Sequence, residues 1–174
     1  AGIGHVQAGA LPLVSLTAWQ ALVETAGLRA GQRVLIHAAA GGVGHVAVQI
    51  AKARGAYVIG TASAGKHEFL RGLGADEVID YRETDFAEAV KDVDVVLDTL
   101  GGETSVRSLG VLRPGGVVVS ILPVGSDDFY EEAERTYRAL ELGVPDGLRF
   151  EQAEALLAAG LAEEAGAHLD EVLP

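Results

Sequence analysis

The sequence has no cysteine, which excludes disulfides and cysteine-ligated zinc and is compatible with a cytoplasmic location. Methionine is absent too, even at position 1, as expected of an excised, processed or engineered chain. Rings are scarce, at four Phe, four Tyr and one Trp in 174 residues, although 49% of residues are apolar. A core must therefore come from Ala, Val, Leu and Ile, which suits packed layers of helices and strands. Positive charge is also short: 13 Lys and Arg face 25 Asp and Glu, a formal net charge of -12. A field of that sign repels phosphate backbones and anionic lipid, so neither nucleic acid nor a membrane surface is expected as a partner. A small anion held by backbone N–H groups and one or two local cations remains compatible with it. There is no long apolar run and no basic-then-apolar leader at the start, so a soluble protein is expected. The histidines, at positions 5, 37, 45, 67 and 168, show no metal-ligand pairing, and no metal is expected.

What is present is alternation. Residues 1–28 read as a lead-in segment with a helix that Thr17 can cap and Gly27 can end. Residues 29–174 read as one dinucleotide-binding domain, a length suited to a single core. Within it, short apolar strands at 33–37, 56–61, 77–80, 93–98 and 116–121 alternate with helical patterns at 42–54, 64–72, 83–91 and 102–110. Such an order needs crossover connections, which predicts an α/β fold: a doubly wound parallel sheet of about five to six strands with helices on both faces. Beyond Pro123 the segments 128–142 and 150–165 read as helices, and 144–150 is a weak sixth strand interrupted by Pro145 and Gly147.

Between the first strand and its helix stands Ala-Gly-Gly-Val-Gly, residues 40–44. Set on the three-glycine dinucleotide fingerprint, Ala39 takes the first place, Gly41 the second and Gly44 the third. Gly41 lets the backbone approach a pyrophosphate, Gly44 lets the helix pack close to the sheet, and the unpaired N–H groups of the first helical turn face the anion. A small-residue turn that merely tightens packing is the plainer reading of the same loop. The next strand end runs through Thr61, Ser63 and Lys66 with no acid among them. A carboxylate there accepts from the adenosine ribose of NAD, whereas a hydroxyl and an ammonium suit the 2′-phosphate of NADP. Ser63 as a helix cap and Lys66 as a solvated charge are the alternatives.

Residues 10–13 and 16–22, the stretch 31–44, Gly-Ala-Asp-Glu-Val-Ile-Asp-Tyr-Arg at 74–82 and Leu-Arg-Pro-Gly-Gly at 112–116 together resemble the medium-chain dehydrogenase/reductase superfamily. The resemblance is to its zinc-independent quinone oxidoreductase and enoyl reductase branch and runs from about residue 8 to 123. It implies a cofactor half for NADP(H), with hydride passing to a quinone, enoyl or carbonyl substrate once a substrate domain is joined. By the same resemblance, Thr17 lies near the nicotinamide, and Gly41, Gly42, Val43 and Gly44 form the pyrophosphate loop. Thr61, Ser63, Lys66 and Tyr81 fall at the adenosine end, and Asp98, Thr99, Leu100, Ile121, Leu122 and Pro123 lie over the nicotinamide half. No catalytic side chain is expected, because the chemistry resides in the nicotinamide. Members of the branch often pair through an edge strand near the C-terminus, which this sequence largely lacks, so the oligomeric state is left open with a homodimer among the options. Two other functions fit the glycine loop: a nucleotide-binding module without turnover, and an adenosylmethionine-dependent methyltransferase.

Overall fold

The computed structural model describes residues 2–122. The chain opens with α1, His5–Trp19, which runs on into a π-helical turn at Gln20–Thr25. Thr17 is therefore inside a helix and does not cap one; its hydroxyl donates to the Leu13 carbonyl one turn back, at 2.9 Å. Pro12 hid this start, because proline removes one helical donor without ending a helix whose flanks are good formers. Gly27 does end the segment, at φ +59°, a backbone angle that favours glycine.

Five strands follow: β1 Arg33–Ile36, β2 Tyr57–Ala62, β3 Glu77–Asp80, β4 Val93–Asp98 and β5 Leu112–Ser120. They form one parallel sheet in the order β3-β2-β1-β4-β5. The connecting helices are α2 Gly44–Ala53, α3 His67–Gly72, α4 Phe86–Ala89 and α5 Glu103–Leu109, with a single 3-10 turn at Ala64–Lys66. This is the doubly wound sheet that the alternation predicts. Side chains leave alternate faces of each strand, so Val34 and Ile36 pack with α1, α2 and Leu70 of α3, while Leu35 packs with Phe86 of α4 and Leu109 of α5.

Two elements differ from expectation. The helix expected over 83–91 is a single turn, capped by Asp85, whose carboxylate accepts from the Ala87 N–H at 2.9 Å. It stops because Val90 is already extended and Asp92 turns at φ +56° to start β4. β5 begins four residues earlier than expected, at Leu112, because the pairing slips between Val93 and Val95 and lets residues 113–116 bulge from the edge. The segments at 128–142, 144–150 and 150–165, and Pro123, lie outside the described residues.

The fold also shows why alanine can stand at the first fingerprint position. A Cβ added to Gly60 of β2 would lie 2.8 Å from the Cβ of Ala39, so the methyl of Ala39 fills the space that Gly60 leaves. Gly60→Ala is expected to destabilise the chain by about 1–3 kcal/mol through overpacking, and Ala39→Gly in the same chain to restore most of that loss. Urea unfolding of the two single variants and the double variant checks it; equal costs of Gly60→Ala in both backgrounds would show that the two sites are independent.

Candidate functional site

The sheet order reverses between β1 and β4, which opens a crevice at the carboxyl ends of the strands. The segments that follow β1, β2, β3 and β4 come together there. Between them lies a cavity of about 670 Å³ lined by His37, Ala38, Thr61, Tyr81, Arg82, Phe86, Leu100 and Arg107, among others.

The loop after β1 is shaped by backbone geometry. Ala38 turns left-handed at φ +44°, an angle that costs a residue with a Cβ and must be held by its surroundings. Thr61 supplies the hold: its hydroxyl oxygen accepts from the Ala38 N–H at 3.2 Å, and its carbonyl accepts from the Ala39 N–H at 3.0 Å. The Gly41 N–H returns to the Ala38 carbonyl at 2.8 Å. An added Cβ on Gly41 would stand 3.1 Å from that carbonyl, and one on Gly42 would meet only Val14 of α1, at 3.6 Å. Gly44, the first residue of α2, is the tight position: a Cβ there would collide with the Ala38 carbonyl oxygen and lie 2.8 Å from two backbone carbons of Ala39. The N–H groups of Gly42 and Val43 make no hydrogen bond to another described residue. Two unpaired donors thus sit at the positive end of α2, an arrangement suited to a phosphate group.

The loop after β2 carries the adenosine-end candidates. Ser63 precedes the 3-10 turn, and its side chain does not cap it, which removes the capping reading. Lys66 is exposed and forms no ion pair among the described residues. Thr61, by contrast, is 3% exposed and its hydroxyl is used inside the protein, so it shapes the site from beneath. Tyr81 is 57% exposed, with the Arg82 guanidinium 5.7 Å from its ring centre. Asp80 ties the two loops together, accepting from the Ala64 N–H at 2.9 Å and the Arg82 N–H at 3.0 Å. The sequence offers no local sign of that role, because the partners lie on different loops.

At the other half, Asp98 is fully buried and turned away from the crevice. It accepts from the N–H groups of Leu100 and Gly101, at 2.9 and 3.1 Å, and from the Ser105 hydroxyl, which closes the loop after β4. Thr99 donates its hydroxyl to the His37 carbonyl at 2.9 Å. Leu100 and Leu122 are exposed, and the Ile121 N–H donates to the Asp98 carbonyl at 3.1 Å, so this edge offers apolar surface with its polar atoms paired. Thr17 lies one turn beyond Val14, which packs toward Gly42.

Beneath the crevice His37 is 1% exposed, edge-on to Phe86 with ring centres 4.6 Å apart. Burial pushes its imidazole down from the usual 6.5 to about 4; Asp98 opposes that shift and Arg107 adds to it. Arg107 pairs with Asp85 and lies over the Phe86 ring, bracing α5 against α4. Among the described residues there is no group of three His, Cys, Asp or Glu side chains placed to hold a metal, and no helix long and apolar enough to cross a membrane.

The family model described as zinc-binding dehydrogenase matches residues 42–134. Polyketide synthase GfsB of Streptomyces halstedii is 51% identical over 117 residues, which is 66% of this chain and 2% of that protein. The solved quinone oxidoreductase from Coxiella burnetii is 34% identical with a TM-score of 0.73, matched over 99% of this chain and 59% of its own. CurK enoyl reductase is 35% identical with a TM-score of 0.68, over 99% of this chain and 55% of its own. The chain thus spans somewhat more than half of these solved relatives and a small part of the synthase. Its strand order, its glycine loop and these similarities together make the chain a member of the zinc-binding dehydrogenase family, within the medium-chain dehydrogenase/reductase superfamily that includes quinone oxidoreductases and enoyl reductases.

Proposed function

We propose that this chain holds NADP(H) as the cofactor-binding part of a reductase acting on an activated alkene, the enoyl thioester of a polyketide-type intermediate being the favoured substrate class. The observation that carries the reading is the pairing of two anion-seeking features across one crevice: the unpaired N–H groups of Gly42 and Val43, and the free Ser63 hydroxyl and Lys66 ammonium. The first suits a pyrophosphate and the second a 2′-phosphate. No carboxylate stands at the end of β2, and the nearby Asp80 already accepts two backbone N–H groups. When bound, the cofactor supplies a hydride from its reduced nicotinamide. The chain's own part is to fix the phosphates with backbone donors, to seat the adenosine beside Tyr81 and Arg82, and to offer Leu100 and Leu122 as an apolar flank for the ring.

The polyketide synthase relatives favour the enoyl substrate over a quinone. Exposed apolar side chains on α1, with Val6 88%, Leu13 75% and Leu16 60% exposed, support a role joined to a further domain over a free-standing module. The family assignment leaves the methyltransferase alternative without support.

Lys66→Ala is expected to weaken NADPH binding roughly tenfold, about 1.4 kcal/mol, and to leave NADH nearly unchanged. The loss should shrink as salt rises, because the lysine is exposed. Calorimetric titration of both cofactors at two salt concentrations checks it. Equal losses for NADPH and NADH would show that Lys66 supports the turn and does not select the phosphate.

A further inference from the structure

The buried polar chain under the crevice can be assigned proton by proton. Ser108 Oγ lies 2.6 Å from the Thr104 carbonyl, which only accepts, so the Ser108 hydroxyl donates there. Its lone pair then faces His37 Nε2 at 3.0 Å, which makes Nε2 the protonated nitrogen. A neutral imidazole carries one N–H, so Nδ1 is bare and accepts from the Thr61 hydroxyl at 3.3 Å. With its proton so directed, Thr61 turns a lone pair to the Ala38 N–H at 3.2 Å. One unbroken run of hydrogen bonds thus connects α5 to the residue at which the phosphate loop bends left-handed.

We propose that His37 is a positioning residue for the phosphate loop: its bare Nδ1 fixes the Thr61 hydroxyl, and through it the Ala38 N–H and the direction in which Gly42 and Val43 present their donors. Phe86 holds the ring edge-on, and the Thr99 hydroxyl, donating to the His37 carbonyl at 2.9 Å, fixes its backbone, so the imidazole cannot swing away from Thr61. The consequence for cofactor affinity rests on the function proposed above; the consequence for the loop does not.

The test uses two substitutions that divide the imidazole. The oxygen of His37→Asn falls near Nδ1 and can accept from Thr61, whereas the amide nitrogen of His37→Gln falls near Nε2 and keeps only the Ser108 side. Hydrogen exchange of the Ala38 amide in the ligand-free chain, and NADPH affinity by titration, are measured for both. His37→Asn is expected to keep both within about twofold of the wild type, and His37→Gln to lose about fivefold in each, the worth of one hydrogen bond. A role in packing alone would move the two variants together, and equal losses would overturn the proposal. Should either His37 variant fail to fold, Thr61→Ser and Thr61→Val decide the matter: the hydroxyl-bearing variant should retain Ala38 protection and the apolar one lose it, and matching values would overturn the proposal. A wild-type chain that binds no nicotinamide dinucleotide would remove the function proposed above, while the exchange measurement would still decide the loop.

Discussion

Gly44→Ala is expected to destabilise the chain by more than about 3 kcal/mol, a large share of the roughly 5–15 kcal/mol that holds a native domain together. The added methyl would strike the Ala38 carbonyl oxygen and sit 2.8 Å from Cα and the carbonyl carbon of Ala39. These are backbone atoms in a loop held by Thr61 from below, so no rotamer change relieves the overlap. Either α2 lifts from the sheet, uncovering Ala47 and Val48, or the loop leaves its left-handed bend. Gly42→Ala, two residues away, is the control: its methyl would meet only Val14, at an ordinary 3.6 Å, and stability should change by less than about 1 kcal/mol. Denaturant unfolding of the two variants gives the comparison. A Gly44→Ala chain within 1 kcal/mol of wild type would mean that the close packing of α2 on the loop is wrongly described.

A second large effect is expected on acidification. His37 titrates near 6.5 in the unfolded chain and near 4 in the folded one, so above pH 6.5 it is neutral in both states and costs nothing. As the pH falls from 6.5 towards 4, the unfolded state takes up a proton that the folded state refuses, and stability drops. The full loss is about 3 kcal/mol, reached at and below pH 4. Asp76 and Asp94 act in a lower window. Burial raises each carboxyl, but this is outweighed for Asp76 by bonds from Lys52 and the Val58 N–H, and for Asp94 by bonds from the Arg33 N–H and Arg113. Both end below their ordinary value of 3.8, so the stability they add is present above that pH and is lost as the pH falls through their lowered values. Unfolding free energies between pH 7.5 and pH 4 should therefore decline in the wild type and remain nearly flat in His37→Asn. Parallel declines in the two proteins would place the acid sensitivity elsewhere.

Much of the fold is legible in the sequence because strands buried on both faces are continuous apolar runs and the intervening helices carry their own period. The five expected strands are found within one or two residues of their bounds, except the start of β5. There the slip in pairing depends on β4 and on the Arg113–Asp94 contact, at 2.6 Å, which no local pattern announces. The glycine loop after β1 is legible as a tight turn because its glycines answer a local steric need, and the structure places that need most firmly at Gly44. Thr17 misled because a threonine before an apolar stretch reads as a cap, and here it continues a helix begun twelve residues earlier. Asp80, Gly60 and the chain through His37 were not legible at all. Each acts on a partner 16 to 71 residues distant, visible only when β1, β2 and α5 are brought together.

On the function proposed above, the crevice at the strand ends holds NADP(H), with the pyrophosphate on the N-terminus of α2 and the 2′-phosphate beside Ser63 and Lys66. Titrating NADPH and then NADH into the isotopically labelled chain, while following backbone amide shifts, locates both phosphate sites residue by residue. Saturable shifts are expected for both cofactors at Gly42, Val43 and Gly44, with further shifts at Ser63, Lys66 and Tyr81 that are larger for NADPH, and tighter binding of NADPH. Shifts that leave residues 41–44 unmoved, or binding of the two cofactors with equal affinity and the same pattern at 63–66, would contradict that function.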